Sequence, residues 1–417
     1  MSAWGAIIGL TLSILLIIKK IHPLYSLLLG AVVGGLIGGF SLPQTVVLML
    51  DGIKDITPAM LRILAAGVLS GVLVKTGAAV SISNAIVRTL NRRHAFLMVA
   101  FATMFLTASG VFIDVAVITV APVALSLGRR LSIPKESLLL ALIGGGKCGN
   151  IISPNPNTIV AAENFGADLS SVMYVNLAPA FIGLFIVSYL LVRMLPKQGT
   201  MVADDDVMIR TDSLPSFLTS MVAPVVAILL LSLRPLFGIV IDPLVALPAG
   251  GLAGILAMRK WSQLRESMSY GLEKMTFVVI LFIGTGAIAG IIKASTIKDV
   301  LLNALAHTSL GEVLIAPVSG ALLSAATAST TAGATVASSS FAEIIMAAGI
   351  TAIWGAAMTN AGATVLDHLP HGSFFHATGG SVNMSFNSRL KLIPYETLVG
   401  IILTIGSVGA YLLMQSV

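Results

Sequence analysis

The sequence predicts an all-α polytopic membrane protein made of two inverted-topology repeats, each with a re-entrant hairpin and an interrupted transmembrane helix. Three observations predict this elevator-type fold class. Of the 417 residues, 56% are hydrophobic and 10% are charged, too few charges to cover a soluble fold of this size. The two halves of the chain share glycine and proline positions in the same order. Finally, long apolar segments are broken by glycine, proline and polar residues.

Composition also excludes several classes of protein. The net charge of +6 is assigned to cytoplasmic loops of a membrane protein rather than to nucleic-acid binding. The single cysteine, Cys148, excludes an internal disulfide and a multi-cysteine metal site, and no cofactor or metal is predicted. Residues 3–18 are interpreted as a first span rather than a signal peptide, because their positive charges follow the apolar run.

The internal repeat sets the predicted boundaries. "IHPLYSLLLGAVVGG" at 21–35 is matched by "IDPLVALPAGGLAGI" at 241–255. The later matched pairs are Gly52 with Gly271, Gly67 with Gly286, Gly71 with Gly290, and Pro154 with Pro370. We therefore predict a first repeat over 1–196, a cytoplasmic linker over 197–214 and a second repeat over 215–417.

Spans follow from apolar segments of about 20 residues. They are predicted at 3–18, 24–40, 58–76, 136–162 and 172–192 in the first repeat, and at 216–233, 240–258, 273–292, 348–366 and 395–415 in the second. The first three spans of each repeat, within 1–76 and 216–292, are expected to form a scaffold. Segments 79–93 and 297–308 are polar on one face and are predicted to lie in the membrane interface.

One region in each repeat fits no single span. Residues 95–127 are too long for one crossing and too short for two, and they have a small, polar middle at 107–115. Positive charges precede and follow this region, so both of its ends should face the cytoplasm and the chain should form a re-entrant hairpin. Its counterpart is 312–345, with a tip at 327–335, and is expected to open to the opposite side.

The charge distribution predicts the orientation. With the N-terminus outside, the 24 Lys and Arg residues fall in cytoplasmic positions with few exceptions. The exceptions are Lys54, Arg62, Arg234, Lys293 and Lys298 outside, and Lys147 within the membrane. We therefore expect a multi-pass protein of the bacterial inner membrane with both termini extracytoplasmic.

The interrupted helices predict the function. "GGGKCGNIISPNPNT" at 144–158 breaks the segment 136–162, and 364–380 breaks the segment 348–380. Irregular chain survives at membrane depth only inside protein or beside a water-filled cavity. Inverted repeats with paired broken helices are typical of secondary transporters. Asn155 and Pro156 suit the cap and first position of a half-helix, whose positive dipole end favours an anionic group.

Candidate site residues lie at the hairpin tips and the helix breaks. The predicted substrate-binding residues are Ser109, Lys147, Asn150, Ser153, Asn155, Asn157, Thr158, Ser329, Thr330, Thr331, His371 and Ser373. A charge at mid-span is costly, so Lys147 should bind a substrate carboxylate, snorkel to the interface or pair with Asp114.

Three residues are proton-coupling candidates: Asp114, Asp367 and His368. Asp114 has the alternative of a plain helix cap, and His368 that of a cytoplasm-facing polar loop. His can change its charge near neutral pH, which suits a proton relay. A zinc site formed with His371 is disfavoured, because there is no H-E-x-x-H motif and no cysteine nearby.

Several segments resemble one transporter family. "VFIDVAVITVAPVAL" at 111–125 resembles the F-D-V-G…A-P-L signature of the gluconate permease (GntP-type) family of the ion-transporter superfamily. "NIISPNPNTIVAAENFGADL" at 150–169 is similar to its P-P-H-P-G-P segment, with S-P-N-P-N in place of that motif. "ASTTAGATVASSS" at 328–340 and "LDHLPHGSFF" at 366–375 resemble two further segments of the family.

The resemblance implies an inverted-repeat fold, commonly dimeric, and proton-coupled uptake of sugar acids or related small acids. Asp114 corresponds to the aspartate of the family's F-D-V motif. The family resemblance and the candidate site residues together predict a homodimeric, elevator-type proton symporter for a small organic carboxylate. A sodium-coupled carboxylate or amino-acid symporter and a channel are the alternatives. An enzyme is disfavoured, since no H-E-x-x-H or G-x-S-x-G motif occurs.

Overall fold

The computed structural model describes residues 2–89, 94–195, 199–203, 206, 214–296 and 311–415. Its first half contains α1 (Ala3–Ile18), α2 (Pro23–Ile37), α3 (Leu42–Lys75), α4 (Ala78–Thr89), α5 (Ala95–Ala108), α6 (Ile113–Leu131), α7 (Lys135–Asn150), α8 (Pro156–Phe165), α9 (Leu169–Val175) and α10 (Leu177–Met194). Its second half contains α11 (Phe217–Phe237), α12 (Pro243–Ala257), α13 (Leu264–Lys293), α14 (Gly311–Thr327), α15 (Thr330–Ala347), α16 (Ala352–Gly362), α17 (Ser373–Ser381), α18 (Phe386–Leu390) and α19 (Ile393–Gln415).

Within the described part of the chain, the regular secondary structure is helical, and one isolated β-bridge joins Pro134 to Met201. Five of its helical segments are long and apolar enough to cross a membrane, namely Leu42–Lys75, Leu177–Met194, Phe217–Arg234, Trp261–Lys293 and Phe386–Gln415. Several shorter helices, including α1, α2, α5 and α12, are also apolar. The fold is therefore that of a polytopic membrane protein.

The helices form two packed groups. We call α1–α3 with α11–α13 the long-helix bundle, in which α3 packs along α13 and the paired helices α1–α2 and α11–α12 pack around them. We call α5–α10 with α14–α19 the interrupted-helix group, which contains two helical hairpins and two broken helices. The two groups meet where α13 packs on α15 and α3 packs on α8.

Glycines hold the centre of the long-helix bundle together. Gly67 of α3 lies so close to Gly271 of α13 that an added Cβ would be 2.9 Å from its carbonyl oxygen. Gly52 lies equally tightly against Gly286 and Gly290. Residue numbers rise along one helix as they fall along the other, so α3 and α13 are antiparallel. Small residues allow such close backbone contact between membrane helices.

The long helices extend beyond the predicted spans. α3 begins at Leu42 rather than near 58, because Ser41 and Gln44 form a capping box that starts the helix earlier. The charged residues of its first half, which end the apolar pattern, remain helical. Among them, Asp55 forms an ion pair of 3.0 Å with Lys293 of α13.

Ion pairs join the two groups at one end of the molecule. Arg62 of the bundle binds Glu163 of α8 and also Asp242. Arg234 of α11 lies 2.9 Å from Asp168, which follows α8. Lys293 of α13 lies 3.7 Å from Glu343 of α15. These pairs line two adjoining cavities that share Glu163, and we call this region the charged end.

Part of the predicted linker is docked on the interrupted-helix group. Lys135, at the start of α7, forms a buried ion pair of 2.8 Å with Asp206. Asn383 donates to the same carboxylate, and the backbone of Lys135 donates to Thr200. Residues 197–198, 204–205 and 207–213 of the predicted linker, and the predicted interfacial helix at 297–308, lie outside the described residues.

We expect Gly290→Ala to destabilise the protein, because its new methyl group would overlap the carbonyl oxygen of Leu48 in the antiparallel contact. Overpacking of this kind costs about 1–3 kcal/mol. Thermal unfolding in detergent measures the effect. The matched control is Gly409→Ala in α19, where no atom lies within 4 Å of the new Cβ. Equal unfolding temperatures for the two variants would contradict the close contact.

Candidate functional site

Four irregular segments converge between the two groups of helices. The first hairpin turns between α5 and α6, and the second turns between α14 and α15. The first helix break lies at 151–155, between α7 and α8, and the second at 363–372, between α16 and α17. Ser153 of the first break donates to the carbonyl of Thr107 near the first hairpin tip, and Thr330 of the second tip donates to Asp367 of the second break.

A cavity of about 180 Å³ lies where these segments meet α13. Its lining residues are Phe112, Ile113, Asp114, Asn150, Asn157, Lys274, Phe277, Val278, Leu281, Ala328, Ser329, Thr330, Thr331, Asp367, Ser373 and Phe374. Lys274, Phe277 and Ser373 are exposed, so the cavity is open on their side. Its size suits a molecule of a few carbon atoms rather than a drug-sized ligand.

The two walls of the cavity differ in polarity. The wall from α13 consists of Phe277, Val278 and Leu281, with Lys274 as its one polar member. The wall from the interrupted-helix group carries the amide, hydroxyl and carboxyl groups. A polar solute would therefore make most of its hydrogen bonds with the interrupted-helix group, and few with the long-helix bundle.

Helix N-termini also point to an anionic ligand. α6 and α15 both begin at the cavity, and α17 begins there at Ser373. The N-cap residues of α6 and α17, Phe112 and Gly372, provide no side-chain hydrogen bond. At α6 the carboxyl group of Asp114 accepts from the first backbone N–H groups, whereas those of α17 are left to other acceptors. The positive ends of the helix dipoles favour negative charge.

A chain of asparagines orients one free donor at the cavity. The backbone N–H and hydroxyl of Thr158 both donate to Oδ1 of Asn155. Because a backbone N–H can only donate, Asn155 must present its oxygen there and use Nδ2 to donate to Oδ1 of Asn150. Nδ2 of Asn150 then has no acceptor among the described residues, although this side chain is only 2% exposed. A buried donor without a partner is costly, so it suits a ligand oxygen.

Lys147 lies at the centre of a buried polar network. Its ammonium is 2.7 Å from Asp367 Oδ1 and donates to the carbonyl of Thr364 at 2.6 Å. It also contacts Nδ1 of His368 at 2.9 Å. Lys147 is fully buried and Asp367 is nearly so. This pair joins the first interrupted helix to the second break. The partner of Lys147 is therefore Asp367 rather than Asp114.

His368 contacts both members of the buried pair and a backbone carbonyl. Nε2 lies 3.1 Å from the carbonyl of Ile393, which can only accept, so Nε2 carries a proton. Nδ1 lies 2.9 Å from the ammonium of Lys147 and 3.2 Å from Oδ1 of Asp367.

A second buried ion pair lies next to this network. Arg389 forms a two-point contact with the carboxylate of Glu396. The guanidinium also donates to the carbonyl of Phe375 and lies 4.7 Å from the centre of its ring. The carbonyl of Glu396 in turn accepts from Lys147 at 3.3 Å. These contacts fix α17 relative to the start of α19.

The predicted site residues divide into two sets. Those that line the cavity are Asp114, Asn150, Asn157, Ser329, Thr330, Thr331, Asp367 and Ser373. Those that do not line it are Ser109, Lys147, Ser153, Asn155, Thr158, His368 and His371. Most of the second set support the lining: Asn155 and Thr158 orient Asn150, and Lys147 and His368 hold Asp367.

Sequence reasoning missed Lys274 and the aromatic residues of the cavity. Lys274 was assigned to a cytoplasmic position because it stands at the start of the predicted span 273–292. Phe112, Phe277 and Phe374 occur in apolar segments and give no separate signal. The described residues contain no group of three or more His, Cys, Asp or Glu side chains that could bind a metal ion.

We expect Lys147→Met to destabilise the protein by about 3–5 kcal/mol, because it leaves the carboxylate of Asp367 buried without its cation. Combining it with Asp367→Asn should recover part of the loss. Lys54→Met, which removes an exposed ammonium from α3, is the control. The measurement is the thermal unfolding midpoint of purified protein in detergent. A Lys147→Met protein as stable as the control would contradict a structural role for the pair.

Comparison with known proteins places this geometry among transporters. The family model described as GntP family permease matches residues 1–417. An uncharacterised transporter of Haemophilus influenzae is 55% identical over 97% of each chain. The gluconate permease of Pseudomonas aeruginosa is 24% identical, over 96% of this chain and 95% of its own.

A solved structure shares the fold. The YdaH transporter of Alcanivorax borkumensis, whose crystal structure has an unusual topology, superposes with a TM-score of 0.66 at 15% identity, covering 88% of this chain and 87% of that one. At that identity the likeness concerns the fold alone. The match over the full length and the close relative establish the family: the chain belongs to the GntP permeases and is a membrane transporter, not an enzyme.

Proposed function

We propose that this permease is a secondary active transporter that carries a small organic carboxylate, such as a sugar acid or hydroxy acid, together with a proton. The observation that supports this most is the cavity at the helix breaks. It combines the free donor of Asn150, three helix N-termini and the ammonium of Lys274. A carboxylate with neighbouring hydroxyl groups satisfies all of them. The similarity to a gluconate permease favours the same solute class.

We propose an elevator mechanism based on two inverted repeats. The glycine contacts of α3 with α13 support the inversion, because matched glycines of the two halves meet in antiparallel helices. The long-helix bundle would be the scaffold and the interrupted-helix group the moving part. The polarity of the cavity walls supports this division, since a solute held by the moving part would slide past the apolar side chains of α13.

The proposed orientation in the membrane determines the side on which the cavity opens. The distribution of Lys and Arg supports an inner-membrane protein with both termini extracytoplasmic, so the cavity, near the start of the membrane span of α13, faces the cytoplasm. The charged end would then close the opposite side in this state. A homodimer would form through the exposed apolar faces of the long-helix bundle, to which Leu229 and Leu256 belong.

The proposal predicts which solutes stabilise the protein and what drives their uptake. In a thermal-shift screen, gluconate and related hydroxy acids should raise the unfolding temperature, whereas neutral sugars should not. In proteoliposomes, an inward proton gradient should drive accumulation of the acid that binds best. Uptake that does not depend on the pH gradient but requires sodium would show that the coupling ion is sodium rather than a proton. Ion currents through single open molecules would instead favour a channel.

If transport follows an elevator mechanism, a covalent cross-link between the two groups of helices at the charged end should stop it. Cysteines replacing Arg234 and Asp168, in a Cys148→Ser background, should allow a short bifunctional maleimide to join the two groups. Transport should fall to background while solute binding persists. The control pair is Asp55 and Lys293, which are in contact within the long-helix bundle, so that bridging them should leave transport intact. Full transport by the protein bridged between residues 234 and 168 would exclude relative movement of the two groups.

A further inference from the structure

We propose that Lys274 is shared between Asp114 and the carboxylate of the solute, so that the cavity binds the anion and a proton together. This inference rests on the proposed function and assigns its coupling to one pair of residues. Lys274 belongs to the long-helix bundle and Asp114 to the interrupted-helix group, and both line the cavity. No feature of the sequence distinguished Lys274 from an ordinary lysine of a cytoplasmic loop.

The cavity contains few charged side chains. It is lined by two carboxyl groups, Asp114 and Asp367, and by one ammonium, Lys274. The charge of Asp367 is already compensated by Lys147 at 2.7 Å, in a pair that is buried from solvent. Asp114 forms no ion pair with a described residue. Among the charged side chains that line the cavity, only Asp114 and Lys274 are therefore without an ion pair to a described residue.

The ammonium of Lys274 is not bound to another described residue. Within the described ranges, its ammonium makes no hydrogen bond or ion pair and lies 5.6 Å from the centre of the Tyr270 ring. Lys75 approaches the same ring at 5.2 Å, but it is paired with Glu266 at 2.9 Å. Lys274 is exposed at the open side of the cavity. Its long side chain can therefore reach an anion inside the cavity without breaking an existing pair.

The other titratable groups around Asp114 either bind another residue or do not line the cavity. On α13, Tyr270 and Glu273 accompany Lys274. Among the helices packed on α6, α7 contributes Lys147, which is bound to Asp367, and α17 contributes His376, which is bonded to the carbonyl of Pro370. α5 contains no titratable side chain, and the side chain of Arg88 on α4 lies outside the described part.

These contacts imply a competition. When Asp114 is ionised, it compensates Lys274, and a solute carboxylate entering the cavity would compete with Asp114 for this one available cation. When a proton from water binds the Asp114 carboxylate, Lys274 becomes available to the solute carboxylate. One proton then accompanies one anionic group, and no covalent bond to the solute forms or breaks. Coupling between two ligands of this kind typically changes affinity by about 5–150-fold.

The test measures binding of gluconate and of glycerate to the purified protein by calorimetry at about pH 5.5 and about pH 8, where both acids stay ionised. The unsubstituted protein should bind about tenfold more weakly at the higher pH. Asp114→Asn should bind at both pH values as tightly as the unsubstituted protein does at the lower one. Lys274→Gln should bind about tenfold more weakly at the lower pH. The double variant should bind as weakly as Lys274→Gln does at the lower pH, and should do so at both pH values.

Two control variants separate this pairing from a general charge effect. Glu273→Gln removes a carboxylate next to Lys274 that does not line the cavity, and Lys54→Gln removes an ammonium elsewhere in the bundle. Both should keep the pH dependence of the unsubstituted protein. Thermal unfolding checks that each variant is folded, and Asp114→Ser substitutes if the asparagine variant is not.

Two kinds of contrary result lead to different conclusions. Affinity that still changes with pH in folded Asp114→Asn, or Lys274→Gln that binds as tightly as the unsubstituted protein at the lower pH, would overturn the shared-lysine inference and leave the carboxylate transporter intact. If the unsubstituted protein binds neither acid at either pH, the proposed solute class is overturned, and this inference with it.

Discussion

A helix that stops inside a membrane leaves backbone groups that lipid cannot satisfy, and the rest of this structure depends on how they are satisfied. Carbonyl groups at the first break accept from side chains of the same half, and a carbonyl group of the second break accepts from a side chain of the first half. Lys147 of the first half donates to the carbonyl of Thr364 in the second break, and Asn176 donates to Ala357 in α16. Asn360 of the second half donates to Thr158 just after the first break. The contacts between the halves hold the two breaks side by side at one cavity.

This mutual support explains why so many polar residues near the cavity do not line it. Asn155, Thr158, Lys147 and His368 hold the groups that do. Fixing the amide of Asn150 and the carboxylate of Asp367 in advance spares the solute the cost of ordering them. The wall from α13 is different, because it is apolar apart from Lys274, whose ammonium has no fixed partner among the described residues.

Much of the fold was readable from the sequence, because composition, apolar length and the positions of glycine and proline act locally. The helical membrane class, the turn at 109–112 and the non-helical segment at 151–155 all leave such local signals. The partners of individual charged residues leave no such local signal. Lys147 and Asp367 come from different halves of the chain, and no periodicity connects them. Lys274 was overlooked for a related reason: hydropathy marks where a span begins but not whether its first charged residue faces water or a cavity.

The glycine contact between α3 and α13 has a consequence for the origin of the chain. Gly52 of the first half meets Gly286, the counterpart of Gly67, while Gly67 meets Gly271, the counterpart of Gly52. Each half thus offers the same patch to the other, as in an isologous dimer. Two separate copies of a half-length polypeptide, inserted in opposite directions, could form this contact without any covalent connection. Under the inverted repeat proposed above, a covalent link between the halves makes this pairing permanent, and the halves are free to differ at the cavity.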